Sequence, residues 1–172
     1  MLFLPMSWQA FYPYDIATLR FWVTLFTHQI GHAGIFHLLG NYVFMIPYAL
    51  FVEHKIGKIR FIAFWFLSGL FAAGLQFIIN GPGGLIGSSG VAFAMLTAAC
   101  YMFNTKLWQR ILACIVSLVV VGGEFVVALT TQSDGIAHWA HIGGAAGGLI
   151  LIHLFSRSTT SRSQYHPERR LL

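Results

Sequence analysis

The chain has 172 residues, of which 57% are hydrophobic and only 9% charged, with a net charge of +5 and a mean hydropathy of +0.72. A soluble domain carries about 25% charged residues, so this one has too few to cover itself in water. A water-soluble enzyme, a disordered chain and a nucleic-acid module are all poor fits, and the length suits one domain whose solvent is a lipid bilayer.

Residues 1–34 form a leader whose apolar parts are crowded with Trp8, Phe11, Tyr12, Phe21, Trp22 and Phe26. Aromatic rings favour the membrane–water interface, so the leader reads as an interfacial or re-entrant segment, with His28 as an interfacial polar residue. Five apolar runs follow, predicting five membrane helices within a domain at 35–155. They cover about 35–52, 61–79, 89–103, 111–129 and 136–155. The third has only 15 residues, about 22 Å as a helix, whereas a span needs about 20 residues. It is either a buried core helix or one that starts part-way into the membrane. The tail, 156–172, is basic and rich in Ser and Thr and is expected to be disordered. Cys100 and Cys114 sit inside apolar runs, where thiols act as packing residues.

Nine of the ten Lys and Arg residues lie in alternate connections. Lys55, Lys58 and Arg60 separate runs one and two, Lys106 and Arg110 separate three and four, and Arg157, Arg162, Arg169 and Arg170 lie in the tail. The loops at 80–88 and 130–135 have none. This bias puts the C-terminus in the cytoplasm and the leader outside. Residues 1–34 would then cross the membrane without a signal peptide, so a preceding helix is expected to be missing from the chain.

Polar residues at membrane depth suggest function. His37 and Asn41 are four apart on one helix face. Ser88 and Ser89 open the short third run, Glu124 lies late in the fourth, and His138 and His141 lie early in the fifth. With runs alternating in direction, all fall towards the non-cytoplasmic half. The loop 80–87 holds Pro82 and four glycines, which break helices. Irregular backbone at this depth requires protein or a water-filled cavity around it, so Ser89 is expected in a wet pocket at a helix N-terminus.

Gly90, Ala94 and Ala98 repeat every four residues, as do Ala140, Gly144 and Gly148. Such small faces let membrane helices approach closely, and pressing them together would bring Ser89 to His141. A serine beside a histidine is the minimum for nucleophilic catalysis. The Ser89 N–H, Asn41 and His37 are candidate donors for an oxyanion. No carboxylate sits at an obvious orienting position, since Asp134 is in a loop and Glu124 is on another run, so a Ser–His dyad is favoured over a triad. His138 is one turn before His141 and could line the pocket. Glu124 reads as a buried, hydrogen-bonded acid near the cavity mouth. His28 and His32 have a metal-pair spacing, but no third ligand accompanies them, and neither a metal nor a cofactor is expected.

Three motifs together resemble the rhomboid family of intramembrane serine proteases: His37-Leu38-Leu39-Gly40-Asn41 for HxxxN, Gly87-Ser88-Ser89-Gly90 for GxSG, and Ala140-His141-Ile142-Gly143-Gly144 for AHxxG. His32 fits the stretch leading into the first motif. The resemblance covers about residues 22–155. It implies an all-α polytopic membrane protein, a helical bundle around a cavity open to the non-cytoplasmic side. It implies Ser89 as nucleophile and His141 as base, with His37, Asn41 and Gly87 in the oxyanion region. The implied substrates are transmembrane proteins, cut in or near a membrane helix, and the implied location is a bacterial cytoplasmic membrane. Two departures stand: the family core has six helices against the five counted here, and the leader lacks a Trp-Arg pair. A non-catalytic binder of membrane helices, an inactive truncated fragment and a small proton-coupled transporter are the competing readings.

Overall fold

The computed structural model describes residues 10–13, 16–81, 83–102, 106–131 and 134–164, with side chains described as far as residue 156. Among the described residues the helices are α1 (Leu19–Thr27), α2 (Ile35–Ile56), α3 (Lys58–Asn80), α4 (Ser89–Met102), α5 (Leu107–Thr130) and α6 (His138–Gln164). Among the described residues, four are long and apolar enough to cross a membrane: α2, α3, α5 and the portion of α6 up to Ser156. The short α4 is the fifth apolar helix, so the chain is an all-α helical membrane bundle. The helix in the leader was not anticipated. Thr18 caps it, its hydroxyl accepting from the Phe21 N–H at 3.2 Å.

Glycines make the reversals. Gly57, at φ 80°, is the only residue between α2 and α3; the left-handed conformation is open to glycine without the steric cost a Cβ brings. Of the two readings of the third run, burial inside protein is the one observed. Ten consecutive residues of α4, Gly90 to Ala99, are buried. A helix buried all round needs no polar face, and α4 is enclosed mainly by α6 and α2, with α3 and α5 against its remaining surface.

α6 is wedged between α3 and α4 by two glycine faces. A methyl group built on Gly144 would overlap the Gly90 carbonyl, and one on Gly148 would lie 2.5 Å from the Ala94 carbonyl oxygen. On the other face, a methyl on Gly143 would lie 2.7 Å from the Phe71 carbonyl oxygen, and one on Gly147 would press on the Phe71 ring. The small residues therefore serve two interfaces, one on each side of α6. Thr97 adds a hydrogen bond across the α4–α6 contact, donating to the Ala145 carbonyl at 2.9 Å. The helical geometry of α6 extends to Gln164, past the expected boundary at 155. Once a helix exists, each further residue adds one backbone bond at little nucleation cost. Trp8, Pro82, Phe103 and tail residues 165–172 lie outside the described residues.

The leader is more than an interfacial fringe. Phe11 is 2% exposed and exchanges two backbone hydrogen bonds with Leu85, at 2.8 and 3.0 Å. The leader thus clamps the glycine-rich loop that precedes α4. His28 is also interior, 2% exposed, with Nδ1 3.0 Å from the Thr24 carbonyl. Burial pushes its pKa down to about 4, because desolvation disfavours the charged ring. The reading of His28 as an interfacial residue is therefore corrected.

Candidate active site

Ser88 is the residue at which α4 begins: its carbonyl accepts from the Ala92 N–H at 2.9 Å. Ser89 is therefore in the first helical turn, where backbone N–H groups have no partner within the helix and the helix dipole favours negative charge. The antiparallel course of the helices brings the N-terminal ends of α2, α4 and α6 and the C-terminal end of α5 to one side. Each contributes polar side chains there.

The two serines point to different histidines. Ser89 Oγ lies 2.9 Å from His141 Nε2. Ser88 Oγ lies 3.2 Å from His32 Nε2, and the His32 Nδ1–H donates to the Ile30 carbonyl at 3.0 Å. That carbonyl can only accept, which leaves His32 Nε2 to accept from the Ser88 hydroxyl. His32 thus anchors the loop on one side while Ser89 faces α6 on the other. Burial also pulls the His32 pKa below the usual imidazole value. No local pattern in the sequence marks this second pair, although His32 lies within the first motif's approach.

The His141 ring is flanked on two sides. Phe93 stacks on it, with ring centres 4.5 Å apart and planes 6° from parallel. Phe93 is one turn after Ser89, a spacing that places both on one face of α4 and that could have identified it. Behind the ring, Glu124 Oε2 lies 2.8 Å from His141 Nδ1 and 2.6 Å from His138 Nδ1. A carboxylate therefore does sit behind His141, contrary to the expectation that none was placed to orient it. Proximity in sequence was the wrong guide, since Glu124 arrives from α5. His138 Nε2 in turn lies 3.0 Å from Asp134 Oδ2. The hydrogen bond with His138 holds the Asp134 carboxyl below the usual carboxylate range. The ligand atoms of Glu124, His138 and His141 all lie within 4.8 Å of one another. A divalent ion could use such a donor set, and the same atoms are already engaged in the hydrogen bonds just described.

His37 and Asn41 converge on Gly87. A methyl group built on Gly87 would lie 2.9 Å from His37 Nε2 and 3.4 Å from Asn41 Nδ2, and Gly87 sits at φ 121°. Only glycine leaves that space open. The Ala33 N–H donates to His37 Nδ1 at 3.4 Å, so His37 Nε2 carries the ring proton and is a donor. Asn41 Nδ2 is buried without a hydrogen-bond partner, which is costly unless something arrives to accept from it. The Gly87 N–H, by contrast, is committed to the His28 carbonyl at 2.8 Å. Gly87 offers room rather than a donor, which corrects its expected place among the stabilising groups.

Chemically, the arrangement provides a hydroxyl facing an imidazole backed by a carboxylate, with two N–H donors aimed at open space two residues before the serine. Residues 20–158 match the Rhomboid domain family. The chain is 28% identical to "RHOMBOID-like protein 1" of Arabidopsis thaliana over 136 residues, covering 76% of this chain and 34% of that protein. It is 28% identical to "Putative rhomboid protease YdcA" of Bacillus subtilis over 138 residues, covering 77% of this chain and 67% of that one. It is also 31% identical to "Inactive RHOMBOID-like protein 8" of Arabidopsis thaliana over 116 residues, 66% of this chain and 32% of that one. The chain thus spans about a third of the length of both plant relatives.

Proposed function

The chain belongs to the rhomboid family, and from that premise we propose that it is an intramembrane serine endopeptidase acting on transmembrane proteins. The observation that carries this reading is the 2.9 Å contact between Ser89 Oγ and His141 Nε2 at the half-buried start of α4. In this reading the Ser89 hydroxyl gives its proton to His141 Nε2 as its oxygen attacks a peptide carbonyl. The carbonyl oxygen becomes an anion that accepts from Asn41 Nδ2, His37 Nε2 and the first-turn N–H of Ser89. His141 then hands the proton to the departing amine, and water releases the acyl group from Ser89 by the same route in reverse. A peptide bond inside an intact helix is shielded, so the substrate segment unwinds locally before it is cut. The distribution of Lys and Arg supports a cytoplasmic C-terminus.

The experiment is labelling of the detergent-solubilised protein with a serine-directed fluorophosphonate, together with cleavage of a membrane-protein substrate. Ser89→Ala and His141→Ala should both abolish label and cleavage while the elution profile and thermal melting stay unchanged. Cleavage that persists in Ser89→Ala sinks the proposal. The likeness to a relative named as inactive keeps one other reading in play, a non-catalytic binder of membrane helices. Binding of such helices with no label on Ser89 would select it.

A further inference from the structure

We infer that Glu124 is the positioning residue for His141, so that the base acts as the middle member of a serine–histidine–carboxylate relay assembled from α4, α6 and α5. This rests on the reading of Ser89 and His141 given above. An ionised carboxylate only accepts hydrogen bonds. With Glu124 Oε2 2.8 Å from His141 Nδ1, the proton belongs on Nδ1, and Nε2 keeps its lone pair for the Ser89 hydroxyl. Phe93, stacked on the ring, holds its plane but cannot choose between the two faces of a ring flip, because stacking is the same either way. Only a partner in the ring plane distinguishes the two nitrogens, and Glu124 supplies it. As His141 takes up the serine proton it becomes a cation, and the adjacent carboxylate offsets that charge.

The carboxylate is itself held. His138 Nδ1 donates to the same oxygen at 2.6 Å, and Asp134, from the loop before α6, accepts from His138 Nε2 at 3.0 Å; donating from both nitrogens makes His138 an imidazolium, since a neutral ring has a single N–H. This outer pair explains why an acid on the lipid-facing helix α5 turns inwards. It fixes the Glu124 side chain through the same oxygen that faces His141. The groups facing Glu124 are then His141 and His138 from α6, with Asp134 one step further out. Catalysis gains when a base is held in one tautomer and orientation, since misplaced geometry forfeits much of the advantage of proximity.

The test uses the whole chain in detergent, with histidine rings labelled with nitrogen-15. Long-range nitrogen–proton spectra of the unsubstituted protein should show His141 as the Nδ1–H tautomer. In Glu124→Leu, which suits a membrane helix, that signal should become a mixture of tautomers. The kcat for a cleaved substrate should fall by about 10²-fold, the scale of general-base assistance. KM should stay within about 2-fold, as expected for an interaction made mainly in the transition state. Glu124→Gln keeps the shape and an acceptor oxygen, and should fall between the two. An unaltered tautomer and kcat in Glu124→Leu would overturn the inference. So would a joint loss of kcat, KM and thermal melting in both variants, which marks a purely structural residue. If the tautomer depends on Glu124 while Ser89 never takes the fluorophosphonate, the protease reading fails and the positioning of the imidazole stands.

Discussion

α4 and α5 are neighbours of similar apolar character held in opposite ways. α4 buries ten residues in succession, and its contacts with α6 are so close that glycine is required on both sides. α5 has no buried residue and is flanked by two cavities, one of about 400 Å³ against α2 and α4 and one of about 690 Å³ against α4 and α6. Both helices nevertheless deliver a side chain to His141. Ser89, the proposed nucleophile, sits on the helix that cannot move without unpacking the core. Glu124, behind the His141 ring, sits on the helix whose attachment near the site is made by hydrogen bonds from two histidines and an edge-on contact between Phe125 and Trp139. The placement of Ser89 against His141 comes from backbone packing, whereas Glu124 is held mainly by polar contacts at the end of a loosely packed rod.

The strongest way to break this comparison is to add volume where α4 and α6 touch. Gly144→Val would drive a branched side chain into the Gly90 carbonyl, and a loss of about 3 kcal/mol or more is expected, read as a collapse in thermal melting. Acid acts on the leader instead. His28 is neutral in the folded protein down to about pH 4, while an unfolded chain takes up the proton near 6.5. Between these values the unfolded state binds more protons, so the contribution of His28 to stability falls as pH drops from 6.5 to 4, by about 3 kcal/mol. Melting curves across this window should show the slope, and a His28→Gln variant should flatten it. Thr97→Val removes the hydrogen bond to Ala145 and should cost about 0.6 kcal/mol, the average for such bonds between membrane helices, measured in a denaturant titration. Ala113→Leu on α5, which faces both cavities, should change stability by less than about 0.5 kcal/mol. A cost there near that of Gly144→Val would erase the distinction between the two helices.

Much of the bundle is legible from hydrophobic run length, because a bilayer demands about 20 apolar residues per crossing. The run at 61–79 became Lys58–Asn80, and the run at 111–129 became Leu107–Thr130. The short run at 89–103 left two readings open that only neighbours could decide, since a periodicity of apolar residues does not say whether lipid or protein surrounds them. The leader was harder. Its aromatic residues read as interfacial, yet Phe11 and His28 are interior, because their partners at Leu85 and Gly87 lie far along the chain.

For the site, spacing by four residues was enough to put small faces on two helices and to place Ser89 and His141 at matching ends, since helical geometry carries that information locally. The partner of His141 Nδ1 was not written in any local pattern. It depends on how α5 is rotated and on a loop carboxylate that holds His138. Residue types and their depth along each rod are thus properties of the sequence, set by the helical repeat and by the thickness of the membrane. Which polar groups meet across different rods is a property of the packed whole, because rotation about a helix axis is settled only by the glycine contacts and hydrogen bonds made with its neighbours.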